Sequence, residues 1–110
     1  MASDPIAANE VLPMPPAYVI VNNEVTDPAT YERYRSQVMP TVEKYDGSFL
    51  IRGGRCVRLE GAEPMPRHVM LRFPSFERAL EWYNSPEYQP LARLRQSASR
   101  GNIILVEGAD

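Results

Sequence analysis

Arg52 is the side chain of this sequence best placed to bind a small acid. It stands directly before Gly53 and Gly54, whose missing side chains would let a ligand approach the backbone. A guanidinium in such a place can hold a carboxylate through two parallel hydrogen bonds. The alternative role is an intramolecular salt bridge, with Glu60 or Glu107 as the partner. The sequence leaves both roles open.

A second arginine, Arg95, is spaced so that its side chain could lie beside that of a tyrosine. It follows Tyr88 by seven residues, so in a continuous helix both side chains would share a face and could point at one pocket. Pro90, which lies between them, weakens that inference. Tyr83 and Tyr88 could each donate a hydrogen bond to a developing oxyanion, although tyrosines at helical spacing are more often core residues.

Groups that could transfer a proton are scarce. His68 is the one histidine, the residue type that ordinarily titrates near neutral pH, and it is the default general base. The alternation of its predicted strand directs it toward a dimer interface or solvent. Glu107 is the second candidate for proton transfer. Ser85 precedes Pro86, an arrangement typical of a helix N-cap, and its hydroxyl is also a candidate ligand-binding group.

Composition narrows the classes of function. The 110 residues suffice for one domain, and a formal net charge of −2 provides no field to attract nucleic acid. No run approaches the roughly 20 apolar residues of a membrane span. The N-terminus lacks the features of a signal peptide, so we expect a cytoplasmic protein. With one cysteine, Cys56, one histidine and only scattered carboxylates, we expect neither a metal nor a cofactor.

The chain divides at Ala17. Residues 1–16 contain four of the eleven prolines and show no periodicity, which predicts a flexible arm. Residues 17–110 form the predicted domain. Its first strand is predicted over Tyr18–Val25, and a helix begins after the N-cap Asp27.

This first helix presents Tyr31 and Tyr34 on its apolar stripe. Pro40 predicts a kink or break near Met39. The helix is expected to end at Gly47, since glycine suits a left-handed C-terminal residue.

The middle of the chain is predicted to form a β-hairpin. Ser48–Ile51 is predicted to continue as Arg55–Glu60 across a bulge at the two glycines, and a turn over Gly61–Pro66 leads to a strand over His68–Phe73. Ser75 then caps a second helix. The predicted apolar stripe of that helix consists of Phe76, Ala79, Leu80 and Tyr83.

A broken extra helix follows Pro86 and Pro90, and the last strand is predicted over Asn102–Glu107. The order βαββαβ predicts an α+β, ferredoxin-like domain with a four-stranded antiparallel sheet and helices on one face. The other face would remain apolar, so we expect a two-fold homodimer, sheet on sheet. The side chains from which this apolar face was inferred are Val19, Val21, Met70, Ile104 and Val106.

Five ordered motifs between Tyr18 and Gly108 give the chain a family resemblance. They are Phe49-Leu50-Ile51-Arg52-Gly53-Gly54, Leu59-Glu60-Gly61, Phe73-Pro74-Ser75-Phe76-Glu77, Trp82-Tyr83-Asn84-Ser85-Pro86-Glu87-Tyr88 and Leu105-Val106-Glu107-Gly108. Together they resemble the bacterial "domain of unknown function thirteen-thirty" family of the dimeric α/β-barrel superfamily. The chain departs from that pattern at His68, at Arg72 and in its proline-rich arm.

The resemblance implies a pocket in each protomer between the sheet and its own helices. We place it under Tyr31, Tyr34, Leu80, Tyr83 and Leu91, with Arg52 and Arg95 as anion-binding candidates. Superfamily members include cofactor-free monooxygenases, isomerases and cyclases as well as stress-response proteins, so the fold selects no single reaction.

Three classes of function follow. The first is a cofactor-independent enzyme of isomerase, cyclase, lyase or hydrolase type that acts on a small oxygenated acid or lactone. In it Arg52 fixes the carboxylate, Tyr83 or Tyr88 polarises a carbonyl, and Glu107 or His68 transfers the proton. The second is a non-catalytic ligand-binding or stress-associated dimer that uses the same pocket. The third, nucleic-acid binding through the eleven arginines, predicts a salt-sensitive complex, and the charge balance disfavours it.

Overall fold

Four strands and three helices lie within residues 14–109, the part of the chain that the computed structural model describes. Most of the predicted arm, residues 1–13, lies outside the described residues. In chain order the elements are β1 (Ala17–Val25), α1 (Pro28–Lys44), β2 (Ser48–Arg52), β3 (Arg67–Phe73), α2 (Phe76–Tyr83), α3 (Gln89–Ala98) and β4 (Ser99–Glu107).

The strands form one antiparallel sheet in the order β2-β3-β1-β4. Val19 of β1 lies opposite Leu71 of β3 on one side and opposite Leu105 of β4 on the other. These three side chains therefore share the face that the helices cover. The α+β ferredoxin-like prediction is confirmed, and the sheet of the chain is open rather than closed into a barrel.

Helix α1 begins as predicted and ends differently. Asp27 accepts a hydrogen bond from the Thr30 backbone N–H, which makes it the N-cap. The helix is unbroken at Pro40, which is exposed, so the predicted break does not occur. The left-handed residue after the helix is Asp46, with a φ of 67°, and not Gly47. Gly47 is required for space instead, because a Cβ there would lie 2.6 Å from Cε1 of Phe73.

Helix α2 buries a stripe that is shifted from the predicted one. Ser75 caps the helix by accepting from the Arg78 N–H, as expected. The buried side chains are Ala79 and Trp82, whereas Leu80 is 42% exposed. Trp82 removes more apolar surface from water than leucine, and its indole N–H reaches the hydroxyl of Thr41 at 3.0 Å.

The β2–β3 connection is longer than predicted. The irregularity in β2 lies between Phe49 and Ile51, not at the glycine pair. Gly53 and Gly54 have φ values of 79° and 103°, which end the strand, and residues 55–60 form no strand. At the other end of the sheet, β4 begins at Ser99, earlier than predicted.

The face of the sheet away from the helices carries apolar side chains in register. Ile20 lies between Met70 of β3 and Ile104 of β4. Ile104 is 53% exposed and Val106 42% exposed. Val19 and Val21, which the sequence analysis counted toward this face, are instead buried beneath the helices, because they have the opposite parity in β1.

Candidate functional site

A narrow cavity lies between the helix-covered face of the sheet and helices α1, α2 and α3. The space between its atoms is about 420 Å³ when its open mouth is included, and its enclosed part has room for about one water molecule. Its walls combine apolar side chains with phenols and guanidinium groups, and none of the lining residues that the structure describes is acidic. The lining residues are Val21, Tyr31, Tyr34, Arg35, Val38, Phe49, Arg52, Arg67, Val69, Leu71, Trp82, Tyr88, Arg95 and Ile103.

A buried phenol pair and an arginine form the helical wall of the cavity. The hydroxyls of Tyr34 on α1 and Tyr88 before α3 lie 3.0 Å apart, and Nε of Arg95 donates to the Tyr88 hydroxyl at 3.3 Å. The Nη2 atom of Arg95 is buried and has no hydrogen-bond partner among the described residues. Pro90 permits this contact because it lies in the first turn of α3, where its missing N–H costs no helical bond.

The strand side of the cavity carries a second shielded guanidinium. Arg67 on β3 lies over the ring of Tyr31, with its Cζ atom 5.4 Å from the ring centroid. Its Nε atom is buried and also lacks a partner in the described part of the chain. The missing side chain of Gly53 leaves room here, since a Cβ there would lie 3.0 Å from Nη1 of Arg67.

Arg52 lies at the same side of the cavity. Its guanidinium packs 4.2 Å from the ring centroid of Phe49 and donates from Nη2 to the backbone carbonyl of Arg35 at 3.2 Å. Neither Glu60 nor Glu107 forms a salt bridge with it: the ion pairs within residues 14–109 involve other residues. The salt-bridge alternative for Arg52 is therefore wrong for these two partners.

Burial sets the charge states of the helical wall. Burial, together with the neighbouring phenol of Tyr88, raises the pKa of Tyr34 well above its ordinary value of 10.0, so Tyr34 is a neutral hydroxyl at physiological pH. Burial by itself would lower the pKa of Arg95, but the oxygen of Tyr88 and the neighbouring phenols raise it above its ordinary value. The wall therefore presents the neutral hydroxyl of Tyr34 and a permanent cation at Arg95.

The sequence of the domain matches a known family, and its fold matches known structures. The family model described as "Domain of unknown function (DUF1330)" matches residues 16–109, nearly the whole described chain. The chain belongs to this family. The predicted family is thus confirmed, and the family's description assigns no activity.

Several solved structures share this fold at low sequence identity to the chain. The RPA0582 protein of unknown function from Rhodopseudomonas palustris is 19% identical with a TM-score of 0.71, covering 94% of this chain and 88% of its own. The methylated form of RPA0582 gives 20% identity and a TM-score of 0.65, with coverages of 94% and 87%. SnoaB, a cofactor-independent oxygenase from Streptomyces nogalater, is 12% identical with a TM-score of 0.58, covering 87% and 95%.

At these identities the likeness shows the fold alone. No curated protein matches the DUF1330 chain. Within residues 14–109, none of the helices has the length and apolar character needed to cross a bilayer.

The structure brings together five of the predicted site residues of the DUF1330 chain. All five line the cavity, although the sequence placed them in separate segments. They are Tyr31, Tyr34, Arg52, Tyr88 and Arg95.

Four predicted site residues lie elsewhere. Tyr83, with Leu80, lines a separate apolar groove between α2 and β4. Ser85 is buried and accepts from the backbone N–H of Tyr88 at 3.1 Å, a turn-capping role. His68 shares the uncovered face of the sheet with Met70, and Glu107 is exposed at the end of β4, so neither borders the cavity.

Sequence reasoning missed Arg67, Arg35 and Trp82 as cavity residues. A signal for Arg67 was present, because it has the same strand parity as Val69 and Leu71, but the predicted strand began one residue too late to include it. The burial of Trp82 followed from the shifted stripe of α2. No sequence pattern placed Arg35 beside Arg52.

Proposed function

We propose that this protein is a cofactor-independent enzyme acting on a small oxygenated acid or lactone in the cavity between sheet and helices. One observation carries the proposal: Arg95 is buried beside a phenol pair, and its Nη2 atom has no partner within residues 14–109. A buried cationic donor without a partner is costly. An anionic ligand oxygen would remove that cost.

The geometry favours reactions in which negative charge develops on a ligand oxygen. Arg95 would hold the developing negative charge in a site shielded from water, where such a contact is strong. The Tyr88 hydroxyl accepts from Arg95, so its own proton is free to go to Tyr34 or to a ligand oxygen. In this proposal the phenol pair, rather than His68 or Glu107, donates the proton that the charged ligand oxygen takes up.

Arg52 would hold the carboxylate of the substrate at the strand side. Its present partner is a backbone carbonyl, which does not neutralise its charge. SnoaB, which shares the fold, is a cofactor-independent oxygenase, so this architecture supports chemistry without a cofactor in at least one protein. The reaction type within the class of isomerases, cyclases, lyases and hydrolases is open.

The test is a ligand screen followed by a turnover assay on Arg95 variants. Small keto acids, hydroxy acids and lactones are screened for an increase in the melting temperature, and each hit is incubated with enzyme and followed by NMR. We expect Arg95→Met to weaken binding of the hit at least tenfold, about 1.4 kcal/mol, and to abolish its conversion. The matched control is Arg93→Met, an exposed arginine on the same helix. Unchanged binding and turnover in Arg95→Met would contradict the proposal.

A non-catalytic ligand-binding protein is the second candidate. The observation that favours it is the absence of any carboxylate or imidazole from the residues between positions 14 and 109 that line the cavity. Such a protein would be stabilised by its ligand and would release it unaltered. Recovery of every hit unchanged after prolonged incubation selects this candidate, whereas any chemically altered product selects the enzyme.

We also propose that the protein is a homodimer through the uncovered sheet face. The support is the row of apolar side chains that this face exposes, including Ile51, Ile104 and Val106. An apolar face of this kind is rarely left in water by a monomer.

A further inference from the structure

We propose that the ligand of the cavity carries two separate anionic groups, of which a dicarboxylate is the simplest example. This inference rests on the proposed function, because it concerns the same cavity, and it deepens it by naming the charge class of the substrate. It is drawn from the way the arginines of the chain are paired and buried.

Arginines outside the cavity are either ion-paired or exposed. Within residues 14–109, Arg58, Arg78 and Arg100 form ion pairs with carboxylates. The other arginines away from the cavity lie on the exposed surface, where water solvates their charge. They are Arg33, Arg55, Arg72 and Arg93.

The cavity reverses this arrangement. Of the four arginines that line it, only Arg35 has a carboxylate partner within residues 14–109, Glu32 at 3.2 Å. Arg52, Arg67 and Arg95 have none among the described residues, although all three are shielded from water to some degree and Arg95 is only 8% exposed. Positive charge without a neutralising partner among the described residues is therefore concentrated in the cavity. A buried, unpaired charge costs more free energy there than at the exposed surface.

The uncompensated charge lies at two stations joined by a row of tyrosines. At the strand end, Arg67 lies over Tyr31, whose ring centroid is 5.5 Å from that of Tyr34. At the helical end, the Tyr34 hydroxyl contacts that of Tyr88, which accepts from Arg95. Each station also holds one of the buried guanidinium nitrogens that lack a partner, Nε of Arg67 and Nη2 of Arg95.

One anionic group would satisfy one station and leave the other uncompensated. A molecule with an anion at each end would satisfy both, and its central atoms would lie along the phenol row once the side chains that fill the narrow part of the cavity move apart. The phenols could then bond a central keto, hydroxyl or lactone oxygen. The charge distribution thus favours a dianion over the singly charged acid that Arg52 alone suggests.

The experiment compares diacids with their own half-esters. Calorimetric titration at low ionic strength measures the affinity of succinate, glutarate and adipate, and of the monomethyl ester of each. We expect at least one diacid to bind tenfold or more tightly than its half-ester. Arg67→Gln and Arg95→Met should each reduce that preference below threefold, whereas Arg72→Gln and Arg93→Met, at exposed positions, should leave it unchanged.

Each outcome supports or overturns the inference. Equal affinities for diacid and half-ester, a preference that survives Arg67→Gln, or failure of all three diacids to bind would overturn it. Half-esters that bind as tightly as diacids and depend on Arg95 would overturn the dianion but leave the proposed function standing. Failure of all acids, esters and lactones to bind would overturn both. Should Arg95→Met not fold, Arg67→Gln alone decides, since Arg67 lies on the sheet outside the buried phenol pair.

Discussion

A buried guanidinium is usually neutralised by a carboxylate, and Arg95 has no such partner in the described part of the chain. Its neighbours are the hydroxyl of Tyr88 and, beyond it, that of Tyr34. Neutral oxygens satisfy part of its hydrogen-bonding capacity without cancelling its charge. The site therefore retains a net attraction for anions, at a cost in stability that the phenol pair reduces.

The phenol pair should contribute to folding in its own right. Tyr34→Phe removes the buried hydrogen bond between the two hydroxyls while keeping the ring, so we expect a loss of about 0.5–1.5 kcal/mol in the free energy of unfolding. Urea denaturation measures it. The control is Tyr18→Phe, a residue on the uncovered face of the sheet, and equal stabilities of the two variants would contradict the prediction.

The raised pKa of Tyr34 gives this contribution a pH dependence. Since the folded pKa lies above the unfolded value near 10.0, the contribution is fully present below pH 10 and is lost as the pH rises toward the folded value. The alkaline loss of stability should therefore be smaller in Tyr34→Phe than in the natural protein.

At the scale of elements, a carboxylate joins the end of α1 to the turn before α3. Glu87 accepts from Nζ of Lys44 and, at 3.1 Å, from the hydroxyl of Tyr45. The Lys44 hydrogen bond, the backbone and the Tyr45 hydroxyl together lower the pKa of Glu87 to about 2. This turn also contains Tyr88, so the contact helps to position the helical wall of the cavity.

Acid should release this contact. Because the folded pKa of Glu87 is depressed, its stabilising effect is present above the ordinary value near 4.5 and is lost as the pH falls toward 2. Glu87→Gln should flatten the acid side of a plot of unfolding free energy against pH between those values. The control is Glu43→Gln, an exposed carboxylate on α1 without an ion pair among the described residues. An acid limb that is the same in Glu87→Gln as in the natural protein would rule the effect out.

At the scale of the whole molecule, the two faces of the sheet differ in whether the helices cover them. One is covered by the three helices and holds the core and the cavity. The other exposes a row of apolar side chains centred on Ile20 and Ile104. A second copy of the chain is the proposed cover.

The dimer is tested by placing a charge on that face. Ile104 lies on the edge strand β4 and is 53% exposed, so lysine there should not disturb the fold of a protomer. We expect the natural protein to sediment as a dimer at micromolar concentration and Ile104→Lys as a monomer. Ala29→Lys, at an exposed position of α1, serves as the control. A natural protein that sediments as a monomer would remove the basis for the proposal.

Local signals in the sequence were sufficient for most of the fold. The caps Asp27 and Ser75 mark their helices, and the alternation of Val69, Leu71 and Phe73 assigns the buried face of β3. These features depend on a residue and its near neighbours in the chain, so the sequence displays them directly. The errors arose where two apolar choices competed, as with Leu80 and Trp82, or where glycines ended a strand instead of bending it.

The sequence by itself determined the order of elements, the family and the parity that directs His68 away from the helices. Only the tertiary structure decided which charged groups meet. Arg67 contacts Tyr31 and Tyr34 contacts Tyr88 across 36 and 54 positions of the chain. Such contacts depend on strand order and helix placement, which arise from burial summed over the whole domain and leave no mark in the local spacing of residues.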